Sequence, residues 1–280
     1  MKYVALISCH NEEKNIEATA QAILQQTISP SRFVIIDDYS TDKTAEVVSR
    51  MLDIVLVKKR YPRHPVRGVN LALALNAGVN EATSLSPDWD YLLKVDADSI
   101  LPNNYVKDLL KKFEERKPGE RPLGIASGNP QDERIWKGRA SDGAKMFCRN
   151  CLEEIDGFPL CNAFDTLMII RAKYHGWRVE SFEDIHYFQT RTMRRIKLSR
   201  WVLSGRSRYY LGFPEWHTFL IAIVYMKQKP IFLGGFSMFL AHLLTRIGSL
   251  KRPWSTDFYR FASSYALEEL MDRIKSRRLK

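Results

Sequence analysis

Short apolar runs separated by helix-length amphipathic stretches fill the first half of the chain. Residues 4–8, 33–36, 54–57 and 91–95 are apolar almost without a break, a pattern that predicts strands buried on both faces. Between them the apolar positions fall at helical spacing. Ile16, Ala20, Ile23 and Leu24 predict one helix, and Ala45, Val48 and Leu52 a second, which Ser40 or Thr41 is placed to cap. Val69, Ala72, Leu73 and Val79 predict a third, and Val106, Leu109, Leu110 and Phe113 a fourth. Strands and helices in alternation imply a largely parallel sheet covered on both faces.

The second half is less regular. Residues 123–127, 144–148 and 177–182 read as strands, with helices over 150–155 and 165–175. After Phe188 a basic run of Arg191, Arg194, Arg195, Lys197 and Arg200 opens a different region. Two apolar stretches follow, 216–226 and 231–244, separated by Lys227, Gln228, Lys229 and Pro230; each is shorter than the roughly 20 residues that span a bilayer. A last amphipathic helix runs from 256 to near 277, carrying Phe258, Phe261, Ala262, Tyr265, Leu267, Leu270 and Ile274.

Composition sharpens this division. Hydrophobic residues at 45% and charged residues at 27% are globular values for a 280-residue chain. From His186 onward there are 18 Lys and Arg against 5 Asp and Glu, whereas the first 185 residues carry 25 against 27. The net charge of +11 therefore resides in the C-terminal third, which points to an anionic partner there. Cys9, Cys148, Cys151 and Cys161 make no disulfide framework, and the lone CxxC has no matching pair for zinc, so reduced, cytosolic cysteines are expected. Residues 1–8 run directly into a strand and then Glu12, Glu13 and Lys14, so no signal peptide is expected at this end.

Acidic residues follow two of the buried runs. Asp37 and Asp38 end the second strand, and Asp96 and Asp98 the fourth, placing carboxylates where open α/β sheets bind ligands. In extended chain i and i+2 point the same way, so Asp96 and Asp98 can share one hard cation, Mg²⁺ or Mn²⁺ by oxygen-ligand preference. A cation there would suit a diphosphate. Other readings exist: Asp37 and Asp38 can shape a turn, Asn11 and Glu12 can cap a helix, and Lys94 can pair with one of the aspartates on its strand face.

Four stretches in order, 4–13, 35–44, 94–98 and Asp165 ahead of Arg171 and Gly176-Trp177, resemble a family-2 glycosyltransferase of the GT-A fold. The resemblance spans roughly the first 190 to 210 residues, an ordinary domain length. It implies a GT-A doubly wound, mostly parallel sheet flanked by helices, occupying 1–205. A nucleotide-sugar half covers 1–100 and an acceptor half 101–205, followed by a basic, amphipathic helical region over 206–280. It further implies that Ser8, His10 and Glu12 line the nucleoside pocket, that Asp38 accepts a hydrogen bond from the base, and that Arg67 reaches the diphosphate; the other reading of Arg67 is a surface arginine in the basic stretch 58–67. Asp96 and Asp98 match the family's DxD motif, with Asp98 a metal ligand and Asp96 on the ribose or the metal. Asp165 matches the general base of an inverting transfer, although Phe164 stands where the family carries glutamate; a helix cap is its structural role. His186 is a further candidate metal ligand or phosphate contact. Arg191, Arg194 and Arg195 are placed to fold over the diphosphate, or to form a basic face.

The expectation is a metal-dependent inverting glycosyltransferase moving a sugar from a nucleotide diphosphate to a glycan or polyprenyl-linked acceptor. Polyprenyl phosphate itself is the alternative acceptor; being already ionised, it needs no base. A nucleotidyltransferase on a similar sheet is more distant. A non-catalytic basic module is the reading from another class, but the chain carries no nucleic-acid-binding motif, so no nucleic-acid partner is expected. The apolar stretches, their basic border of Arg206, Arg208, Lys227, Lys229, Arg246, Lys251 and Arg252, and Trp201, Trp216 and Trp254 predict a monotopic or peripheral association with the cytoplasmic face of the membrane; a helical hairpin buried on the sheet or at a dimer contact is the alternative.

Overall fold

A computed structural model describes residues 1–59, 61–115, 118–131, 138–191, 198–226, 230–248 and 253–278. The chain divides into two compact units, Met1–Thr192 and Met193–Lys280. The division falls ahead of residue 205 because the helix Leu198–Tyr210 (α7) packs within the second unit, against Leu233–Ile247 (α9).

In the first unit β1 (Tyr3–Cys9), β2 (Arg32–Asp37), β3 (Val55–Lys58) and β4 (Tyr91–Asp96) pair in parallel, in the spatial order β3-β2-β1-β4. The sheet continues through β7 (Ala144–Cys148), β6 (Leu123–Pro130) and β8 (Arg178–Gln189). β7 runs against its neighbours β4 and β6, and β6 and β8 are again parallel. A two-residue strand, β5 (Ser99–Ile100), pairs antiparallel with the end of β8.

Alternation along the central strands explains the two-sided cover. Ala5, Ile7, Phe33, Ile35, Leu93 and Val95 share a core with Ile16, Ala20 and Ile23 of α1 (Ile16–Leu24) and with Val106, Leu109 and Leu110 of α4 (Tyr105–Glu114). Leu6 and Ile36, on the opposite face, meet Gly78 of α3 (Arg67–Leu85). Full burial of each such aliphatic side chain contributes about 1.5–3 kcal/mol. The short α2 (Thr44–Ser49) departs from expectation. It begins after Ser40 and Thr41, so neither caps it, and it ends before Leu52, which is exposed.

Beyond the sheet centre, α5 (Arg149–Glu154) follows β7, and α6 (Phe164–Tyr174) precedes β8. Gly176, at φ +86°, closes α6 in the left-handed conformation that glycine adopts freely.

In the second unit α8 (Glu215–Tyr225) packs on α9, and α10 (Thr256–Arg278) completes the chain. The stretch after Phe188 conceals α7, whose basic residues masked its helical period. Gly205 is essential to its packing: a Cβ there would stand 2.0 Å from the Met238 carbonyl of α9. Among the described residues no helix is long and apolar enough to cross a membrane. Instead α8 leaves Trp216, Phe219, Leu220 and Ile223 exposed, and α9 leaves Leu233, Phe236, Leu240, Leu244 and Ile247 exposed. Of the three tryptophans expected as anchors, Trp216 is exposed, Trp254 is half-buried, and Trp201 is buried in the α7–α9 core. Lys227, Lys229, Lys251 and Arg252, expected as part of the basic border, lie outside the described residues.

Candidate active site

Strand register brings the acidic signals together. Cys9 pairs with Asp37 and Ser8 with Asp96, so the end of β1 lies between the two acidic segments. At this edge opens a cleft of about 390 Å³ whose lining includes Ser8, His10, Glu12, Asp38, Arg67, Asp96 and Asp98. Seven of the eight residues expected to bind a nucleotide sugar or its cation border this one hollow, a volume suited to a small ligand; His186 does not.

The loops after β1 and β2 are stitched to each other. Asn11, at φ 56°, accepts a hydrogen bond from Thr41 N at 2.8 Å and donates its own N–H to Ser40 Oγ at 3.0 Å. Glu12 N–H donates to Thr44 Oγ1 at 2.7 Å, and His10 Nδ1 lies 2.9 Å from the Asp38 carbonyl. Asn11 therefore clips two loops rather than capping α1, and Ser40 and Thr41 serve that clip.

The adjacent aspartates divide their labour. Asp37 Oδ1 accepts from Ser40 N at 3.2 Å and shapes the turn. Asp38 faces the cleft, held by Lys59 Nζ and Arg63 Nε, each at 2.9 Å. Those two cations come from the segment after β3, which Asn70 of α3 clasps. Its Oδ1 accepts from His64 N at 2.7 Å and from Lys59 Nζ at 3.2 Å, and its Nδ2 donates to the His64 carbonyl at 2.5 Å. Arg63, His64 and Asn70 line the cleft, yet the sequence reading passed over all three. The visible signal was the basic stretch leading to Arg67, which resembled an ordinary solvated surface.

The β5–β8 ribbon delivers Arg191 to the other side of the cleft. Thr190 N–H donates to the Asp98 carbonyl at 2.9 Å, and Arg191 pairs with Asp98 (Nε to Oδ2, 3.2 Å) and with Glu12. Glu12 and the two aspartates hold the Arg191 guanidinium more firmly protonated than usual, outweighing its partial desolvation. Arg194 and Arg195, expected to act with it, lie outside the described residues.

Behind Asp96 sits a chain of alternating charges. Lys94 Nζ donates to Asp96 Oδ1 at 2.6 Å and to the Asp142 carbonyl at 2.5 Å. Lys145 stands directly opposite Lys94 across the β4–β7 pair. Its Nζ reaches Asp142 Oδ1 at 2.8 Å and Asp165 Oδ1 at 3.1 Å. Asp165 lies in the first turn of α6, whose cap position is Ala163, so the expected capping role is not the one it plays. Burial pushes the Asp165 carboxyl above the usual range, with the Asp142 charge adding and Lys145 opposing. Burial opposes the charge on Lys145, but Asp142 and Asp165 reverse that and hold it firmly protonated.

Phe164, at the position where the resemblance implies glutamate, is buried against Phe158, which in turn meets Phe147. Neither Asp165 nor His186 is among the residues lining the cleft. His186 is an exposed position on β8, paired in register with Asn129.

The donor set at Asp96 and Asp98 is all oxygen and suits Mg²⁺ or Mn²⁺. Among the described residues no three Asp, Glu, His or Cys side chains are grouped to hold a metal. Mg²⁺ is commonly held by one or two carboxylates together with phosphate oxygens of a ligand.

Comparison with known proteins agrees with the geometry. Residues 4–120 match the model for glycosyl transferase family 2. Poly-β-1,6-N-acetyl-D-glucosamine synthase of Staphylococcus aureus is 29% identical over 129 residues, 45% of this chain and 28% of that protein. The aligned part is thus well under half of the relative's length. The S. epidermidis counterpart is 26% identical over 132 residues. Among solved structures, mannosyltransferase PcManGT of Pyrobaculum calidifontis, in complex with GDP-Man and Mn²⁺, superposes with TM-score 0.59 at 18% identity, over 96% of this chain and 80% of that one. S. aureus TarS 1–349 with UDP-GlcNAc gives TM-score 0.54 at 15% identity, over 89% and 73%. The family model covers a shorter stretch than the resemblance in the sequence implied, whereas the fold extends over most of the chain. Residues 4–120 of this chain thus carry the glycosyl transferase family 2 sequence pattern, on a fold that is GT-A.

Proposed function

We propose that the chain transfers a sugar from a nucleotide-diphosphate donor to an acceptor hydroxyl, with inversion, using a divalent cation. The observation that carries this reading is the single cleft bordered by Ser8, His10, Glu12, Asp38, Arg67, Asp96 and Asp98. Ser8 and His10 face the nucleoside. Asp38 keeps lone pairs to accept from the base beyond those used by Lys59 and Arg63. Arg67, the first residue of α3, offers the diphosphate both its own charge and a helix N-terminus. Asp98 and Asp96 would hold Mg²⁺ or Mn²⁺, which supplies Lewis-acid neutralisation of the leaving diphosphate.

Asp165 takes the proton from the acceptor hydroxyl as that oxygen attacks the anomeric carbon. The bond from this carbon to the diphosphate breaks on the opposite side. A carboxyl pushed above its usual range by burial is a stronger base for that task. The neighbours' donors, UDP-GlcNAc and GDP-Man, are the first to try here. A thermal-shift panel of UDP-, GDP- and dTDP-sugars with and without Mn²⁺ tests the reading: a donor raises the melting temperature, and Asp38→Ala abolishes the rise. A full panel without any shift would sink it.

The acceptor is a glycan or a lipid-linked sugar. Polyprenyl phosphate is the competing acceptor, and an Asp165→Asn variant with full activity would favour it. For location, the exposed apolar faces of α8 and α9, next to sequence carrying most of the positive charge, support a monotopic seat on the cytoplasmic leaflet.

A further inference from the structure

Lys94 and Lys145 present a problem in electrostatics. They are directly opposed on neighbouring strands, each with its side chain only 2% exposed. Like charges opposed across a sheet repel, and each ammonium gives up hydration on burial. An apolar side chain of similar length would fill either place with less desolvation, so packing does not account for the charges. Lys94 is explained by Asp96, which borders the cleft. Lys145 touches neither Asp96 nor Asp98; its carboxylate partners are Asp142 and Asp165.

Resting on the reading of Asp165 as the general base, we propose that Lys145 is a positioning residue. It fixes the Asp165 carboxylate in place and, together with Asp142, sets how readily that carboxylate takes a proton. The arrangement has the parts this needs. Asp142 joins the two lysines, giving its carbonyl to Lys94 and its carboxylate to Lys145. Its charge pushes Asp165 toward protonation while Lys145 pulls the other way. The titratable groups facing Asp165 are Lys145, Asp142 and Lys94, with Cys161 on the segment before α6; Arg139 acts on Asp142. Lys145 thus sets a single cation between two carboxylates, Asp142 with a half-exposed side chain and Asp165 with a more buried one.

The two neighbours therefore make opposite predictions. Aspartate-labelled full-length protein is titrated by ¹³C NMR, with Asp165→Asn identifying the resonance. Lys145→Met moves the Asp165 titration to higher pH by roughly 1 to 3, the effect of removing an opposite charge at contact distance. Lys145→Arg restores it, and Asp142→Asn moves it to lower pH. Asp142 is half-exposed, so its variant decides the matter even if Lys145→Met fails to fold. Unmoved titration in folded variants, or movement of both in one direction, overturns the proposal. The pH profile of UDP or GDP release from UDP-GlcNAc or GDP-mannose with Mn²⁺ is recorded alongside. Should the NMR titration move while the acid limb of that profile stays still, the link between Lys145 and Asp165 stands and the assignment of Asp165 as base falls.

Discussion

Arg191 Nε lies 3.2 Å from Asp98 Oδ2, and the same guanidinium also pairs with Glu12, so a side chain from the end of β8 ties the acidic pair of β4 to the loop after β1. In the absence of a cation this arginine balances the carboxylates, and a metal ion at Asp98 has to compete with it. Arg191→Gln should therefore bind Mn²⁺ about two- to fivefold more tightly without nucleotide, the scale of a partly exposed ion pair. Calorimetric titration reads this directly. Weaker Mn²⁺ binding by the variant would show that Arg191 does not compete for Asp98.

Asp165→Asn should lower kcat by about 10² to 10⁴, the usual worth of a positioned general base, while leaving donor affinity nearly unchanged. The pH dependence follows from the sign of the shift. A base works only when ionised, so activity is present above its pKa and lost as pH falls through it. Burial raises that pKa, and the acid limb should lie above the ordinary aspartate value of about 3.9. A limb below that value would contradict the assignment.

Asn70 is 1% exposed and holds the His64 backbone on both its N–H and carbonyl sides. Replacing it with alanine leaves those groups unpaired, a cost of about 1–3 kcal/mol. Under the proposed function, in which Asp38 and its partners Lys59 and Arg63 serve the donor, KM for the donor should rise with little change in kcat. Steady-state kinetics at saturating acceptor separates the two constants.

Gly68 follows Arg67 at the start of α3, and a Cβ there would stand 2.5 Å from the Asn162 carbonyl and 2.7 Å from that of Cys161. Both contacts are backbone, which yields only by moving the segment that leads into α6 and Asp165. Gly68→Ala should cost about 1–3 kcal/mol of stability and reduce kcat as well. Thermal unfolding and turnover measured together check both effects, and a variant with wild-type values would show that the segment adjusts freely.

Phe236 and Leu240 lie exposed on α9, 57% and 41% accessible. If this face meets lipid, Phe236→Glu with Leu240→Glu should abolish flotation with vesicles containing anionic phospholipid while leaving nucleotide-sugar binding intact. Equal flotation of wild type and variant would remove the membrane assignment for α9.

Much of the first unit was legible because burial on two faces leaves a local mark. Runs such as Val34-Ile35-Ile36 and Leu92-Leu93 announce central strands, and the carboxylates that follow them announce an edge open to ligands. Ser8, His10, Glu12, Asp38, Arg67, Asp96 and Asp98 could accordingly be named from their places after strands and from a family resemblance. The apolar period of α8, α9 and α10 was equally plain. Tertiary structure alone decided the rest, since it depends on which backbones become neighbours. Asn11 and Thr41 meet only because β1 and β2 are parallel neighbours, a pairing that turns two apparent helix caps into one clip. Lys145 stands opposite Lys94 only because β7 enters the sheet reversed beside β4. Arg191 reaches Asp98 only through the β5–β8 ribbon. Local periodicity determines what each segment becomes, whereas contacts between segments distant in sequence determine which charges share a site.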